Sequence, residues 1–132
     1  MATMQFDLVS PERRLASMDV TEVQIPGADG DLTAMPDHAP MITTLRPGIL
    51  RAHGTDGVKA YFVTGGFADV AGPSATILAE RAMPVDEVTP EVMDELVADA
   101  TKKRDDAPEG AGDAAAKFLA DLVAAGEEIK LG

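Results

Sequence analysis

The side chains able to carry chemistry are few in this chain, and their spacing gives them little to work with. His38 and His53 are the only imidazoles, and there is no cysteine. Thiolate metal sites, disulfides and cysteine nucleophiles are therefore excluded. His38 stands in Pro36-Asp37-His38-Ala39-Pro40, a segment confined by two prolines. As a general base it needs a nucleophile within reach, and as a zinc ligand it needs further donors; no motif nearby supplies either. It reads as a loop or interface side chain. His53 precedes Gly54 and the hairpin signal Asp56-Gly57, so it reads as solvated. The acid pairs Asp86-Glu87, Asp94-Glu95, Asp105-Asp106 and Glu127-Glu128 consist of neighbours in sequence. Neighbours on a helix do not face each other, so these pairs read as solvated surface. Asp29-Gly30-Asp31 lacks the further ligands of a calcium loop and reads as a turn. Gly65-Gly66 and Gly110-Ala111-Gly112 fit neither the dinucleotide fingerprint nor the phosphate-binding loop. The first reads as a bulge or tight corner in a sheet, the second as a loop between helices. The expectation is no catalytic residue, no cofactor and no metal.

Elements that would position these side chains follow from composition. The 132 residues fit one small domain, or a domain with an appendage. A net charge of −12, with four Phe, one Tyr and no Trp, argues against nucleic-acid binding, which relies on cationic side chains and stacking. The same charge argues against an anionic membrane surface. No stretch approaches the ~18 uncharged apolar residues of a spanning helix, so direct membrane insertion is not expected.

The chain changes character near residue 85. Residues 1–84 hold seven of the nine prolines and eight of the twelve glycines, with 10 acids against 6 bases. Met4–Leu8 and Val23–Ile25 alternate apolar and polar, while Lys59–Val63, Phe67–Val70 and Ala75–Ala79 are rich in strand formers. Short strands between Pro/Gly/Asp turns predict an antiparallel β-sandwich or barrel over 1–84. Residues 85–132 carry 13 acids and 5 bases. Thr89-Pro90-Glu91 supplies an N-cap hydroxyl, a proline for the first helical position and an acid near the positive helix end. Val92, Met93, Leu96, Val97 and Ala100 form one apolar stripe, and Ala115, Phe118, Leu119, Leu122 and Val123 a second. The spacing predicts helices over about 90–104 and 113–126, the second stopped near Gly126. They should pack as an antiparallel α-helical hairpin. The fold class is α+β in two parts.

Several motifs, taken in order, resemble the epsilon subunit of the bacterial F-type ATP synthase. They are Phe6-Asp7-Leu8-Val9-Ser10-Pro11-Glu12, then Val23-Gln24-Ile25-Pro26-Gly27-Ala28-Asp29-Gly30-Asp31-Leu32, then His38-Ala39-Pro40 with Leu45-Arg46-Pro47-Gly48-Ile49-Leu50. Val63–Val70 and Ile77–Ala82 complete the series. Each piece alone is weak, but their succession over about 80 residues is specific. The resemblance implies a non-catalytic rotor part of the central stalk. It would touch the gamma subunit and the polar loops of the ring of c subunits, on the cytoplasmic face of the bacterial inner membrane. The beta subunit becomes a possible partner through the hairpin. By position, Asp31 matches the family's acidic turn residue facing a ring-loop arginine. Ser10, His38 and Thr43 match positions on or near its gamma- or ring-facing surface.

The tail departs from the family's ATP-binding motif. Val88 stands at the Ile/Leu position, Thr89 replaces its Asp, Val92 its Arg and Met93 its Ala. No guanidinium remains there for phosphate. Weak or absent ATP binding and weak tail-mediated inhibition are the expectation. Two other readings remain at this level: a free-standing β-sandwich binding a basic protein through an acidic face, and a small hydrolase built on His38.

Overall fold

A computed structural model describes residues 2–36 and 38–131, without the side chains of His38, Lys130 and Leu131. The described residues form nine strands followed by two helices. The strands are β1 (Met4–Val9), β2 (Arg14–Gly27), β3 (Gly30–Ala34), β4 (His38–Thr44), β5 (Gly48–Gly54), β6 (Gly57–Val63), β7 (Gly66–Gly72), β8 (Ser74–Ala79) and β9 (Ala82–Pro84). The helices are α1 (Pro90–Asp105) and α2 (Gly112–Leu131).

Strand order is β4-β7-β8-β1-β2-β5-β6-β9, with β3 added to β2. β2 joins the two layers of the sandwich. Its first half pairs with β1 and its second half with β5 and β3, and the register shifts between Val20 and Glu22. One pair departs from the antiparallel expectation: β1 runs parallel to β8, Phe6 opposite Ala75 and Leu8 opposite Ile77. A parallel pair needs a long crossover, and the chain supplies one by visiting both layers before β8 returns beside β1.

Alternation decides what is buried. Met4, Phe6 and Leu8 of β1 are buried, whereas Gln5, Asp7 and Val9 between them are partly exposed. They meet Val20, Val23, Ile25, Leu50, Tyr61, Val70 and Ile77 in one core. The Phe6 and Tyr61 rings lie 6.5 Å apart, tilted by 44°. Burial pushes the Tyr61 phenol above its ordinary pKa of 10.0. Gly65 and Gly66, with φ of +111° and +104°, turn the chain from β6 into β7. A Cβ on Gly66 would stand 2.0 Å from the Leu78 carbonyl oxygen, so only glycine passes this corner.

The hairpin is docked on the sandwich. Leu96 and Ala100 of α1, with Leu122 and Ala125 of α2, bury Ile49 of β5 and Phe62 of β6. Two ion pairs flank this contact, Arg51–Glu128 at 2.9 Å and Arg13–Glu87 at 3.1 Å. Both are partly exposed, so each contributes little beside the apolar seam. α1 starts where expected, with the Thr89 hydroxyl accepting from the Val92 amide at 3.2 Å. α2 does not stop near Gly126 but runs on to Leu131. Gly126 faces α1, where a Cβ would lie 2.8 Å from Cε of Met93. It is a close-approach glycine inside the helix rather than a cap. The expected loop around His38 also differs in part. The Asp37 position lies outside the described residues, but His38–Thr44 is a strand rather than a loop. It pairs only with β7 and lies at the sheet edge, where Pro40 costs no ladder bond.

Candidate functional site: an acidic hairpin loop and an apolar sheet face

The β2–β3 hairpin closes at one end of the sandwich. Gly27 pairs with Gly30, and Pro26 with Asp31. Gly30 has φ of +140°, and a Cβ on Gly27 would lie 2.7 Å from the Gly30 carbonyl oxygen. The loop is thereby held tight and presents Asp29 and Asp31, both exposed. Arg46 reaches this loop from the segment before β5. Its Nη2 donates to Oδ1 of Asp31, and its Nη1 donates to the Gly27 carbonyl oxygen at 2.6 Å. Its backbone amide donates to the Pro26 carbonyl oxygen at 3.0 Å. Asp31 remains 77% exposed at its side chain, so an incoming cation can still reach the carboxylate.

Arg46 was absent from the sequence-derived candidates. Its pair with Asp31 spans 15 positions and joins two different strand connections. Only the opposite charges of two turn segments hinted at it. It anchors the hairpin loop and offsets part of the charge of Asp31.

Thr43 lies beside the same loop. The Ala28 amide donates to the Thr44 carbonyl oxygen at 2.9 Å, and Thr43 is half-buried on β4. Ser10 sits across the sheet in the turn after β1. It is only 8% exposed, and its hydroxyl donates to the Arg13 carbonyl oxygen at 3.3 Å. The backbone of His38 pairs with Gly72, while its side chain lies outside the described residues. His53 differs from its solvated reading: it is half-buried on β5, and its Nε2 is buried with no hydrogen-bond partner.

On the outer face of this layer runs a row the sequence did not announce. Register places Thr44 opposite Phe67, Phe67 opposite Leu78, and Leu78 opposite Val9. Directly opposed residues share a sheet face, so these four lie in line on the outer face. Phe67 is 41% exposed, Leu78 40%, and Ile42, two residues before Thr44, 71%. Isolated apolar side chains on a surface are ordinary, but a contiguous row marks an interaction face. Among the described residues, no group of three or more His, Cys, Asp or Glu is placed to hold a metal ion.

Residues 3–85 match the family model described as the beta-sandwich domain of the ATP synthase delta/epsilon chain. The ATP synthase epsilon chain of Jannaschia sp. (strain CCS1) is 75% identical over 122 residues, covering 92% of both chains. This chain belongs to the ATP synthase epsilon-chain family. The epsilon chain of Rhodobacter capsulatus is 56% identical over 129 residues, or 98% of both chains, so the kinship includes the helical hairpin. Epsilon chains are non-catalytic subunits of the ATP synthase complex. The fold is shared with a chain in the Euglena gracilis mitochondrial ATP synthase OSCP/F1/c-ring assembly. There the TM-score is 0.71 at 23% identity, covering 95% of this chain and 82% of that one. A chain of the Tetrahymena thermophila mitochondrial central stalk and c-ring gives 0.67 at 21%, covering 95% and 94%. The chain is part of a membrane-bound complex, and among the described residues no helix is long and apolar enough to cross a membrane.

Proposed function

We propose that this epsilon chain works as a passive coupler in the central stalk of a proton-driven ATP synthase. It joins the gamma subunit to the ring of c subunits at the cytoplasmic face of the bacterial inner membrane. The observation that carries this reading is the exposed row Ile42, Phe67 and Leu78 on a sheet whose other face is sealed into the core. A two-layer sandwich resists shear because every strand is bonded sideways and packed behind. A stiff body with one apolar face and one acidic loop transmits torque through fit, without bond chemistry.

In this reading the apolar row takes the gamma subunit, and Ser10, Thr43 and His38 lie near that interface without being part of the row. Asp31 meets a cationic ring loop. Arg46 keeps the loop in place and leaves one carboxylate oxygen of Asp31 for the partner. The hairpin neither senses ATP strongly nor inhibits hydrolysis strongly. Thr89 is engaged as a helix cap where the family's ATP motif has Asp, and Val92 is apolar where that motif has Arg. The family relationship over 92% of the chain favours a stalk part over a free-standing acidic module or a hydrolase built on His38.

Asp31→Lys tests the ring contact. Reversing that charge in the assembled synthase should lower ATP-driven proton pumping severalfold while hydrolysis by the soluble head stays unchanged. Asp31→Asn, which removes charge without adding repulsion, should fall between. Unchanged pumping in both variants retires the contact and leaves the family membership standing.

A further inference from the structure

Beside its seam with the sandwich the hairpin bears an apolar groove that the stalk reading does not use. Val88, Met93 and Val97 from the start of the hairpin, with Val123 and Ile129 from α2, line an open groove of about 350 Å³. Val123 is 43% exposed, a branched apolar side chain left in water beside residues that are only partly covered. Gly126 forms part of its wall, where a Cβ would lie 2.8 Å from Cε of Met93, so the absence of a side chain leaves room for the Met93 methyl. A glycine inside a helix costs up to about 1 kcal/mol relative to alanine, so the tight approach is kept at some expense to α2 itself.

Charge narrows what can cover this groove. Asp94 and Glu127 stand among its lining residues. Around them, residues 85–101 carry six acids and no base, and residues 118–129 three acids and no base. A second copy of the chain would bring another −12 and be repelled. An anionic lipid surface would be repelled likewise. Two antiparallel helices leave between them a trough that receives side chains at i, i+3, i+4 and i+7 of a third helix. From the apolar floor and the acidic rim we infer that this groove is a docking site for a basic amphipathic helix of a partner protein. The apolar face of that helix covers Val97 and Val123, and its flanking Lys or Arg side chains meet Asp94 and Glu127. The inference does not depend on the stalk reading, because it uses the hairpin alone and none of the residues of the sheet face.

The test uses the full chain and a synthetic leucine–lysine amphipathic helix of about 18 residues, enough for five turns. A peptide of the same composition in scrambled order is the control. Amide shifts in NMR should map to residues 88–97 and 123–129 with the amphipathic peptide and be much weaker with the scrambled one. Val123→Glu, at an exposed position, and the double change Asp94→Lys with Glu127→Lys should each weaken binding about tenfold or more at unchanged helix content. Three results overturn the inference. Shifts may spread over the whole acidic surface, or the scrambled peptide may bind equally well. Alternatively, the groove residues may shift with protein concentration alone or with anionic phosphatidylserine vesicles, which would assign the face to self-association or to lipid.

Discussion

Phe62→Ala should destabilise the full chain by about 3–5 kcal/mol, the range for removing a wholly buried aromatic side chain. The loss should come mostly from the joint between sandwich and hairpin. Phe62 is fully buried, yet it belongs to the cluster with Ile49, Leu96, Ala100, Leu122 and Ala125, and not to the core of the sandwich. Its ring is covered by helices that a fragment ending at residue 84 lacks. The same substitution in that fragment should therefore cost about 1 kcal/mol or less, since an already wet side chain has little transfer energy to lose. Urea denaturation of four proteins, with and without the hairpin and with and without the substitution, measures the difference. Equal costs in both backgrounds would mean that Phe62 is held by the sandwich itself.

Removing residues 85–132 should leave a sandwich that folds cooperatively and still joins the stalk. Each buried residue of the sandwich core lies before residue 85, from Met4 to Ala82. The hairpin packs on Ile49 and Phe62, with Ala60 and Met83 beside them, and makes the pairs Arg51–Glu128 and Arg13–Glu87; none of these residues belongs to that core. Truncation uncovers Ile49 and Phe62, so the fragment should be less soluble than the full chain. In the assembled enzyme, hydrolysis should change less than twofold, as the weak inhibition proposed for the acidic tail requires. A fragment that fails to fold or assemble would show the two parts to be one energetic unit. A severalfold rise in hydrolysis would show the tail to be an effective brake.

Elements legible in the sequence were those whose local pattern and tertiary role agree. Met4–Leu8 alternates because one face of β1 meets the core, and Thr89-Pro90 caps a helix because its own side chain satisfies the first turn. Elements that were not legible depend on distant partners. β2 spans 14 residues, but it bends between layers near Val20–Glu22, and a bent strand changes which face is inside. β4 carries Pro40 and reads as a loop until its place at the sheet edge is known. Gly126 reads as a helix stop until Met93 is found against it. The parallel pairing of β1 with β8 is a property of the whole path of the chain.

The candidate site divides in the same way. The acid at Asp31 was visible as a turn residue, but its pair with Arg46 was not, since nothing local links positions 31 and 46. The row Phe67, Leu78 and Val9 comes from three strands and exists only once their register is set. Ser10 and Thr43, selected through resemblance, are sequence neighbours of Val9 and Thr44 in this row but are not part of it: Thr43 stands opposite Ala68 of the core, and the Ser10 hydroxyl donates to the Arg13 carbonyl oxygen.

The most direct measurement is the company this chain keeps when native membranes are gently solubilised and a tagged copy is recovered. Coupling through fit predicts that it emerges in fixed proportion with gamma, the c-ring and the catalytic head. It also predicts that charged substitution of Ile42 and Phe67 releases it from the assembly while the chain itself stays folded. Recovery as a free, folded species with no synthase subunit attached would contradict the account.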